Sequence, residues 1–101
     1  MSDAAAEFEA RAQRALRALV DGLDAAGLDV ELVDGVVTIE TEDGGQYVVN
    51  RHGPNRQLWL SSPVSGAWHF DWRDGGWRST RGGQALDALL GGELGVEVTL
   101  G

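Results

Sequence analysis

The chain has 101 residues, 43% of them hydrophobic, and a formal charge of −8 at pH 7, which is typical of one small, acidic, folded domain. The excess of acidic residues argues against a nucleic-acid partner, because phosphate contacts need a basic surface, and it favours cations or a basic protein surface. The chain has no cysteine, so disulfides and thiolate chemistry are excluded, and a metal would need oxygen ligands or one of the two histidines.

The beginning of the chain carries no targeting pattern. Residues 1–10 hold Asp3, Glu7 and Glu9 but no arginine, whereas a secretory signal begins with basic residues and a mitochondrial transit peptide is rich in arginine. No stretch approaches the length of a membrane span. We therefore expect a bacterial cytoplasmic protein with no membrane contact.

A helix is predicted over residues 4–26. Its apolar residues recur at steps of three and four, which places them on one face, and Gly27 follows as a stop signal. The residues of this apolar face are Phe8, Ala12, Ala15, Leu16, Leu19 and Leu23.

Beyond Gly27 the apolar period changes to two, which predicts a series of short strands. The strands are predicted over residues 28–33, 36–42, 46–51, 56–61, 67–72 and 77–80. Asp34-Gly35 is a tight-turn signal between the first two strands. Leucines at helical spacing then predict a second helix over residues 84–94, and the tail could pack back on the domain.

This order predicts an α+β fold, a two-layer sandwich that forms a single domain over residues 1–101. Short connections favour antiparallel neighbours, because parallel strands need long crossovers. Each helix has one apolar face, so both helices are expected to cover the same side of a roughly six-stranded antiparallel sheet. The other side would then face water.

Strand parity predicts which side chains reach that open side. Leu58 and Leu60 must point toward the helices, so Trp59 is expected to point outward. The next strand has an aromatic triplet that we assign to the core, which leaves His69 outside near Trp59. The triplet is Trp68, Phe70 and Trp72. Parity alone leaves two interpretations of Trp59 open: a binding surface, or an ordinary sheet residue half-covered by arginine stems.

Residues 47–72 resemble the frataxin family. Asn50-Arg51 is followed by a Pro-x-x-Gln-apolar-Trp motif over residues 54–59, then by a Phe-Asp-Trp strand over residues 70–72 and by the lone Trp77. The order of helix, six strands and helix fits the family across residues 5–94. The bacterial branch of the family fits best.

The resemblance implies a protein that binds iron weakly and acts on iron–sulfur cluster assembly. The implied partners are the cysteine desulfurase and the scaffold protein of that machinery. The residues that match the partner surface of the family are Asn50, Gln57 and Trp59, and His69 and Arg81 match its variable polar or basic positions.

The resemblance also implies a ridge of carboxylates that holds Fe2+ or Fe3+ at the end of the first helix and on the first strand. The matching residues are Asp21, Asp24, Asp29 and Glu31. Carboxylate oxygens suit a weakly held, solvated ion. The alternative is an ordinary solvated acidic face, which is the usual meaning of a charge run.

No nucleophile, base and orienting group occur in a recognisable pattern, so the chain is not expected to be an enzyme. Ferroxidase activity, credited to some family members, is neither supported nor excluded. The leading hypothesis is an iron donor or regulator of cluster assembly that is monomeric without excess iron. The alternatives are a protein–protein adaptor with incidental iron binding and iron sequestration by self-assembly.

Overall fold

The computed structural model describes residues 3–100; Met1, Ser2 and Gly101, which the predicted domain includes, lie outside the described residues. The elements follow the predicted order of helix, strands and helix. Their bounds are α1 Ala4–Ala25, β1 Asp29–Val33, β2 Val36–Glu40, β3 Gln46–His52, β4 Gln57–Ser62, β5 Gly66–Arg73, β6 Gly76–Ser79 and α2 Leu86–Leu94.

The six strands form one antiparallel sheet in which every strand pairs with its neighbours in sequence. Tight turns fix this register. Asp34-Gly35 joins β1 to β2 and Asp74-Gly75 joins β5 to β6, and φ is positive at both residues of each pair, between 52° and 77°. This backbone shape matches the right-handed twist of a hairpin and is most accessible to Asp-Gly and Asn-Gly pairs.

Both helices contribute to one hydrophobic core with the inward side chains of the sheet, as the two-layer prediction requires. The six apolar residues predicted for the first helix are all buried. Ala12 and Ala15 are small, which lets α1 lie close to the sheet. The inward strand residues of the core are Val37, Ile39, Tyr47, Val49, Leu58, Leu60, Trp68, Phe70 and Trp77.

The prediction that Trp72 belongs to the core is wrong. Trp72 lies on the same side of β5 as Trp68 and Phe70, but 39% of it is exposed. Its ring contacts Trp77 edge-on, with ring centroids 5.5 Å apart, and the Arg11 guanidinium lies 4.7 Å from its centroid. Parity gave the side correctly, but α1 places the polar Arg11 over this end of β5, and the ring stays partly exposed.

The second helix begins at Leu86, two positions later than predicted. Gln84 is held by β6, because the Ser79 N–H donates to the Gln84 carbonyl at 2.8 Å and the Ser79 hydroxyl donates to its side chain at 2.7 Å. Ala85 then forms a bridge with Arg78. These contacts keep the segment extended before the helix starts.

The C-terminal tail packs on both helices, as the alternation of its apolar residues suggested. Val98 comes so near Gly22 of α1 that a Cβ at that position would lie 3.1 Å from its methyl group. Glycine inside a helix lowers stability by about 1 kcal/mol relative to alanine. At Gly22 the missing side chain leaves room for the tail to pack closely against α1. No helix within residues 3–100 has the length and apolar character needed to cross a membrane.

A partly buried polar network ties the β4–β5 turn to α2. The hydroxyls of Ser62 and Ser65 donate to the two carboxylate oxygens of Glu93 at 2.6 and 2.5 Å. Burial would raise the pKa of Glu93, but the hydroxyls of Ser62, Ser65 and Tyr47 together hold that pKa below its ordinary value. Burial and the nearby Glu93 carboxylate raise the pKa of the Tyr47 phenol. The network therefore favours an ionised Glu93 beside a neutral tyrosine.

We expect Glu93→Gln to lower the free energy of unfolding by about 1 kcal/mol at neutral pH, because it removes charge-assisted hydrogen bonds. The folded-state pKa of Glu93 lies below the unfolded one, so its contribution is present above the ordinary glutamate range and is lost as pH falls through the folded value. The difference between variant and wild type should therefore shrink as the pH falls below the ordinary glutamate range. Urea unfolding across pH measures both effects.

The matched control for this substitution is Glu97→Gln, which makes the same charge change at an exposed position of the tail. This control should change stability by less than about 0.5 kcal/mol. Equal losses in the two variants would mean that net charge, and not the Ser62–Ser65–Glu93 network, causes the effect.

Candidate functional site: an open sheet face and an acidic edge

The side of the sheet opposite the helices, called here the open face, carries the predicted partner surface. Its central residues are half-buried or exposed, and they alternate along each strand with residues of the core. The side chains at its centre are Asn50, His52, Gln57, Trp59, His69, Asp71 and Arg78.

Three aromatic rings stack at the centre of the open face. The His52 ring lies parallel to one face of Trp59 with centroids 3.8 Å apart, and the His69 ring lies parallel to the other face at 4.2 Å; both interplanar angles are 10°. His69 stands directly opposite Trp59 in the strand register, whereas His52 reaches it from a diagonal position. This group is called the His–Trp–His stack below. The indole separates the two imidazoles, so they cannot chelate one metal ion together.

A chain of hydrogen bonds fixes the indole in its plane. The Trp59 Nε1–H donates to Gln57 Oε1 at 2.8 Å, and Gln57 Nε2 donates to Asp71 Oδ1 at 2.9 Å. Gln57 thus connects the ring to a carboxylate on the next strand. The result is a tryptophan whose orientation is set by contacts on both faces and at its edge.

His52 is the residue of this surface that the sequence analysis missed, because it was assigned to the loop after the third strand. The third strand runs one residue further than predicted and includes His52, which therefore shares its side with Asn50. The backbone N–H of Asn55 donates to His52 Nδ1 at 3.3 Å, which holds the ring over the sheet. Extending the alternation of the third strand by one residue would have placed His52 on the open face.

Arg81, also predicted for the partner surface, contacts a different group of residues. Its guanidinium lies over the ring of Trp68, 3.7 Å from the centroid, and Nη2 donates to the carbonyl of Ala67 at 3.2 Å. Trp68 points toward the helix side of the sheet. The structure thus groups Asn50, Gln57, Trp59 and His69 on the open face and separates Arg81 from the stack.

The predicted iron ligands divide between two sides of the sheet edge. Asp21 and Asp24 are exposed near the end of α1, which packs on the inner side of the sheet, whereas Asp29 and Glu31 alternate with the part-buried Val30 on β1 and point outward. Among residues 3–100, no three carboxylate or imidazole side chains come close enough together to hold a metal ion. The donor chemistry fits a hard cation, but in this arrangement the protein can supply only part of a coordination shell.

One further carboxylate near this edge is already engaged in a turn. Asp43 accepts hydrogen bonds from the Thr41 hydroxyl and from the Gly45 N–H, the latter at 3.1 Å. These two donors lower the pKa of Asp43, with the hydroxyl as the larger cause. Asp29 stands directly opposite Glu40 in the register, and neighbouring like charges of this kind favour a nearby cation.

The comparison with known families agrees with this fold. The family model described as Frataxin-like domain matches residues 1–99. The chain belongs to the frataxin family.

Individual relatives and solved structures give the same result. An "Iron-sulfur cluster assembly protein CyaY" from Photobacterium profundum is 38% identical over 92 residues, covering 89% of this chain and 87% of the relative. The mitochondrial frataxin homolog of Saccharomyces cerevisiae is 47% identical over 66 residues, which is 65% of this chain and 38% of the relative.

Two solved structures superpose well on the chain. A trimeric frataxin from Saccharomyces cerevisiae in a ferrous complex has a TM-score of 0.79 at 39% identity, covering 84% of this chain and 82% of the other. The frataxin of Psychromonas ingrahamii has the same TM-score of 0.79 at 22% identity, covering 96% of this chain and 97% of the other, which shows the shared fold.

We expect Gln57→Leu to release the Trp59 indole without unfolding the domain. Losing the two partly exposed hydrogen bonds of the Gln57 side chain should cost about 2 kcal/mol. The Trp59 indole N–H should exchange with solvent faster, and its proton resonance should move toward the position of a solvated indole. Hydrogen exchange followed by NMR measures this.

The control for this substitution is Ser61→Ala, on the same side of the same strand, which should leave the indole unchanged and alter stability by less than about 0.5 kcal/mol. An indole resonance that does not move in Gln57→Leu would show that the stacking rings alone fix the orientation of Trp59.

Proposed function

We propose that this chain is an iron-binding protein of iron–sulfur cluster assembly, which docks on the cysteine desulfurase–scaffold complex through the open face and acts by binding and not by catalysis. The observation that carries the proposal is the aromatic and polar surface centred on Trp59, which the helices leave uncovered. Membership of the family and the names of the bacterial relatives support it. A bacterial cytoplasmic location stays a prediction.

The open face has the composition of a docking surface. Tryptophan, with a large and rigid contact area, is enriched at the energetic centres of interfaces, and the polar groups around it can form a wet rim. Because stacking holds Trp59 in one orientation, little side-chain entropy remains to be lost on docking. Asn50 lies directly opposite Trp59 on β3 and extends the surface toward β2.

The second part of the proposal is that Asp21, Asp24, Asp29 and Glu31 hold iron weakly as cargo. Their exposed carboxylates suit Fe2+ or Fe3+ with most of its water retained. The outward acids of β1 lie two strands away from Asn50 on β3, a separation of about 10 Å across the sheet. Asp29 and Glu31 therefore lie apart from the centre of the proposed docking surface, but on the same side of the sheet.

The runner-up function is an adaptor of the same machinery in which iron binding is incidental. The observation that favours it is the division of the acids between the helix side of the sheet and the outward side of β1. A third candidate is iron storage by self-assembly, favoured by the trimeric state of the yeast relative in its ferrous complex. Both alternatives make different predictions for an iron titration.

An anaerobic Fe2+ titration followed by NMR of the labelled protein should broaden or shift the amides of Asp21, Asp24, Asp29 and Glu31. The reason is that these acids are exposed and together form the predicted iron ridge. Amides between Asn50 and Trp59 should stay unchanged. If nothing changes at millimolar iron, the adaptor function takes first place, and broadening of all signals with a rise in molecular mass would favour storage by self-assembly.

The variant Asp29→Asn should weaken the iron-induced changes in these amide signals several-fold, because it removes one charge from the like-charged pair with Glu40. The matched control is Asp74→Asn, which makes the same charge change in the β5–β6 turn. Asn tolerates the positive φ of 53° at this position, so the control should fold normally. Equal effects in the two variants would mean that net charge, and not the ridge, controls iron binding.

We expect Trp59→Ala to reduce binding to the desulfurase–scaffold complex by at least about 30-fold, the range of a central interface residue. Iron binding should be unchanged, because the acids lie on α1 and β1, whereas Trp59 lies on β4. Binding is measured by titration calorimetry at fixed salt concentration, with the iron titration repeated on the variant.

The control is Trp72→Ala, which removes a tryptophan that is also partly exposed but lies on the helix side of the sheet. Its affinity for the complex should stay within about threefold of wild type. Loss of iron binding in Trp59→Ala, or equal losses of affinity in both variants, would contradict the separation of the two surfaces.

A further inference from the structure

A cleft lies at the end of the molecule where α1 begins, between the loop of residues 53–56 and the β5–β6 turn. Its volume is about 470 Å³, and clefts of this size hold small ligands in many proteins. About three helical turns of α1 separate it from the acids Asp21 and Asp24. The side chains on which the argument depends are Glu7, Phe8, Arg11, Arg56, Trp72 and Arg73.

The charge balance in this cleft is opposite to that of the whole chain. Arg11, Arg56 and Arg73 line it, and the carboxylates that line it are those of Glu7 and Asp71. The ion pair found among residues 3–100 lies elsewhere, so none of the three arginines is paired with a carboxylate of the described chain. An excess of positive charge is therefore concentrated here in a chain whose formal charge is −8.

The three guanidinium groups use few of their hydrogen-bond donors on the protein itself. Arg11 lies over the ring of Trp72, 4.7 Å from its centroid. Arg73 donates from Nη2 to the Ser79 carbonyl at 3.0 Å. The Arg56 side chain has no hydrogen-bond partner in the part of the chain that the structure describes. A guanidinium is a planar fork of donors that matches the two oxygens of a carboxylate, so the cleft suits that group.

Arg56 has a backbone conformation that arginine seldom adopts. Its φ is 52°, in the left-handed region that favours glycine, asparagine and aspartate. The same region is occupied at Asp34 and Asp74 by aspartate, which tolerates it. The Arg56 backbone N–H donates to the Gly53 carbonyl at 3.1 Å, which holds the loop in this shape. An arginine at a position better suited to asparagine indicates a role for its guanidinium.

The cleft also offers an aromatic surface. Trp72 is partly exposed, whereas Phe8 and Trp77, which also line the cleft, are buried in the core. Both Trp72 and Phe8 contact the Trp77 ring edge-on. The Trp72 indole therefore rests on a packed aromatic base and leaves part of its surface for a ligand. Charged donors beside an apolar ring fit an organic anion better than a bare inorganic one.

We propose that this cleft binds a small organic acid, whose carboxylate contacts Arg56 and Arg73 and whose apolar or aromatic part lies against Trp72. The chain's charge of −8 repels polyanions at long range, so a ligand with a single carboxylate is favoured over nucleic acid or polyphosphate. The inference goes beyond the proposed function, because it needs neither the acids of the iron ridge nor Trp59.

The test uses phenylacetate as the probe, because it joins one carboxylate to one aromatic ring. It is titrated into the labelled full chain at neutral pH and fixed salt concentration, and binding is followed by NMR. We expect shifts of the Arg56 and Arg73 amides and of the Trp72 indole N–H. The neutral analogue phenylacetamide should bind at least about tenfold more weakly, because it lacks the charge that guanidinium groups recognise.

The variant Arg56→Asn distinguishes a binding role from a structural one. It should weaken phenylacetate binding about tenfold, because a charge-assisted contact is lost. Asparagine suits the positive φ, so the urea midpoint should stay the same or rise, whereas a residue retained for stability would lower it. The matched control is Arg14→Gln, which removes the same charge from an exposed position of α1 outside the cleft. Its affinity for phenylacetate should stay within about threefold of wild type.

Two further probes test which ligand the cleft takes. Inorganic sulfate has the charge without the ring, so it should bind more weakly than phenylacetate. The peptide N-acetyl-Gly-Gly-Phe has the same carboxylate and ring at the end of a chain. If this peptide binds more than about tenfold more tightly than phenylacetate, the cleft belongs to the terminus of a partner protein and the assignment to a small acid is wrong.

The inference would also be overturned by three other results. These are the absence of shifts at the cleft up to about 50 mM phenylacetate, equal affinity for phenylacetamide or sulfate, and equal affinities of Arg56→Asn and Arg14→Gln. None of these measurements involves iron or the assembly machinery. Their failure is therefore distinct from failure of the proposed function, which the Trp59→Ala binding assay decides.

Discussion

The two helices can cover only one side of the six-stranded sheet, and the functional surface follows from this constraint. Each strand alternates, so burying Leu58 and Leu60 under the helices commits Trp59 to the opposite side. The same alternation on the neighbouring strands brings Asn50 and His69 to positions directly opposite Trp59. A one-residue change of register would exchange the core and the surface, so the core that stabilises the domain also fixes the residues proposed for docking.

On the open face, ring stacking and a hydrogen bond hold in place a tryptophan that the helices leave uncovered. Histidine rings cover both indole faces, and Gln57 accepts the indole N–H. The indole is therefore restrained without being buried, and a partner meets its edge together with the outer imidazole faces. A surface of this kind is pre-organised, and pre-organisation lowers the entropic cost of association. The contacts that restrain Trp59 also determine which hydrogen-bonding groups remain for a partner.

Much of the fold could be predicted from sequence, because parity, helical spacing and Asp-Gly turns are local signals. These signals gave the outward position of Trp59 and His69. They failed at Trp72, because parity gives the side of a strand but not how completely the helix layer covers each residue on that side. They also missed His52, because the end of β3 depends on pairing with β4. The network around Glu93 joins elements distant in sequence, and no local pattern indicates it.

The fold constrains the open face more strongly than it constrains the acidic edge, which consists of Asp21 and Asp24 on α1 and Asp29 and Glu31 on β1. The acids of α1 and β1 are exposed side chains, and the division of Asp21 and Asp24 from Asp29 and Glu31 suits ions that must leave again. The stack, in contrast, is held by strand register, ring contacts and hydrogen bonds. Single acids of the proposed iron site can therefore be substituted without disturbing the fold. The proposed docking surface is tied to the register of the sheet, because the same strand alternation places the core residues and Trp59.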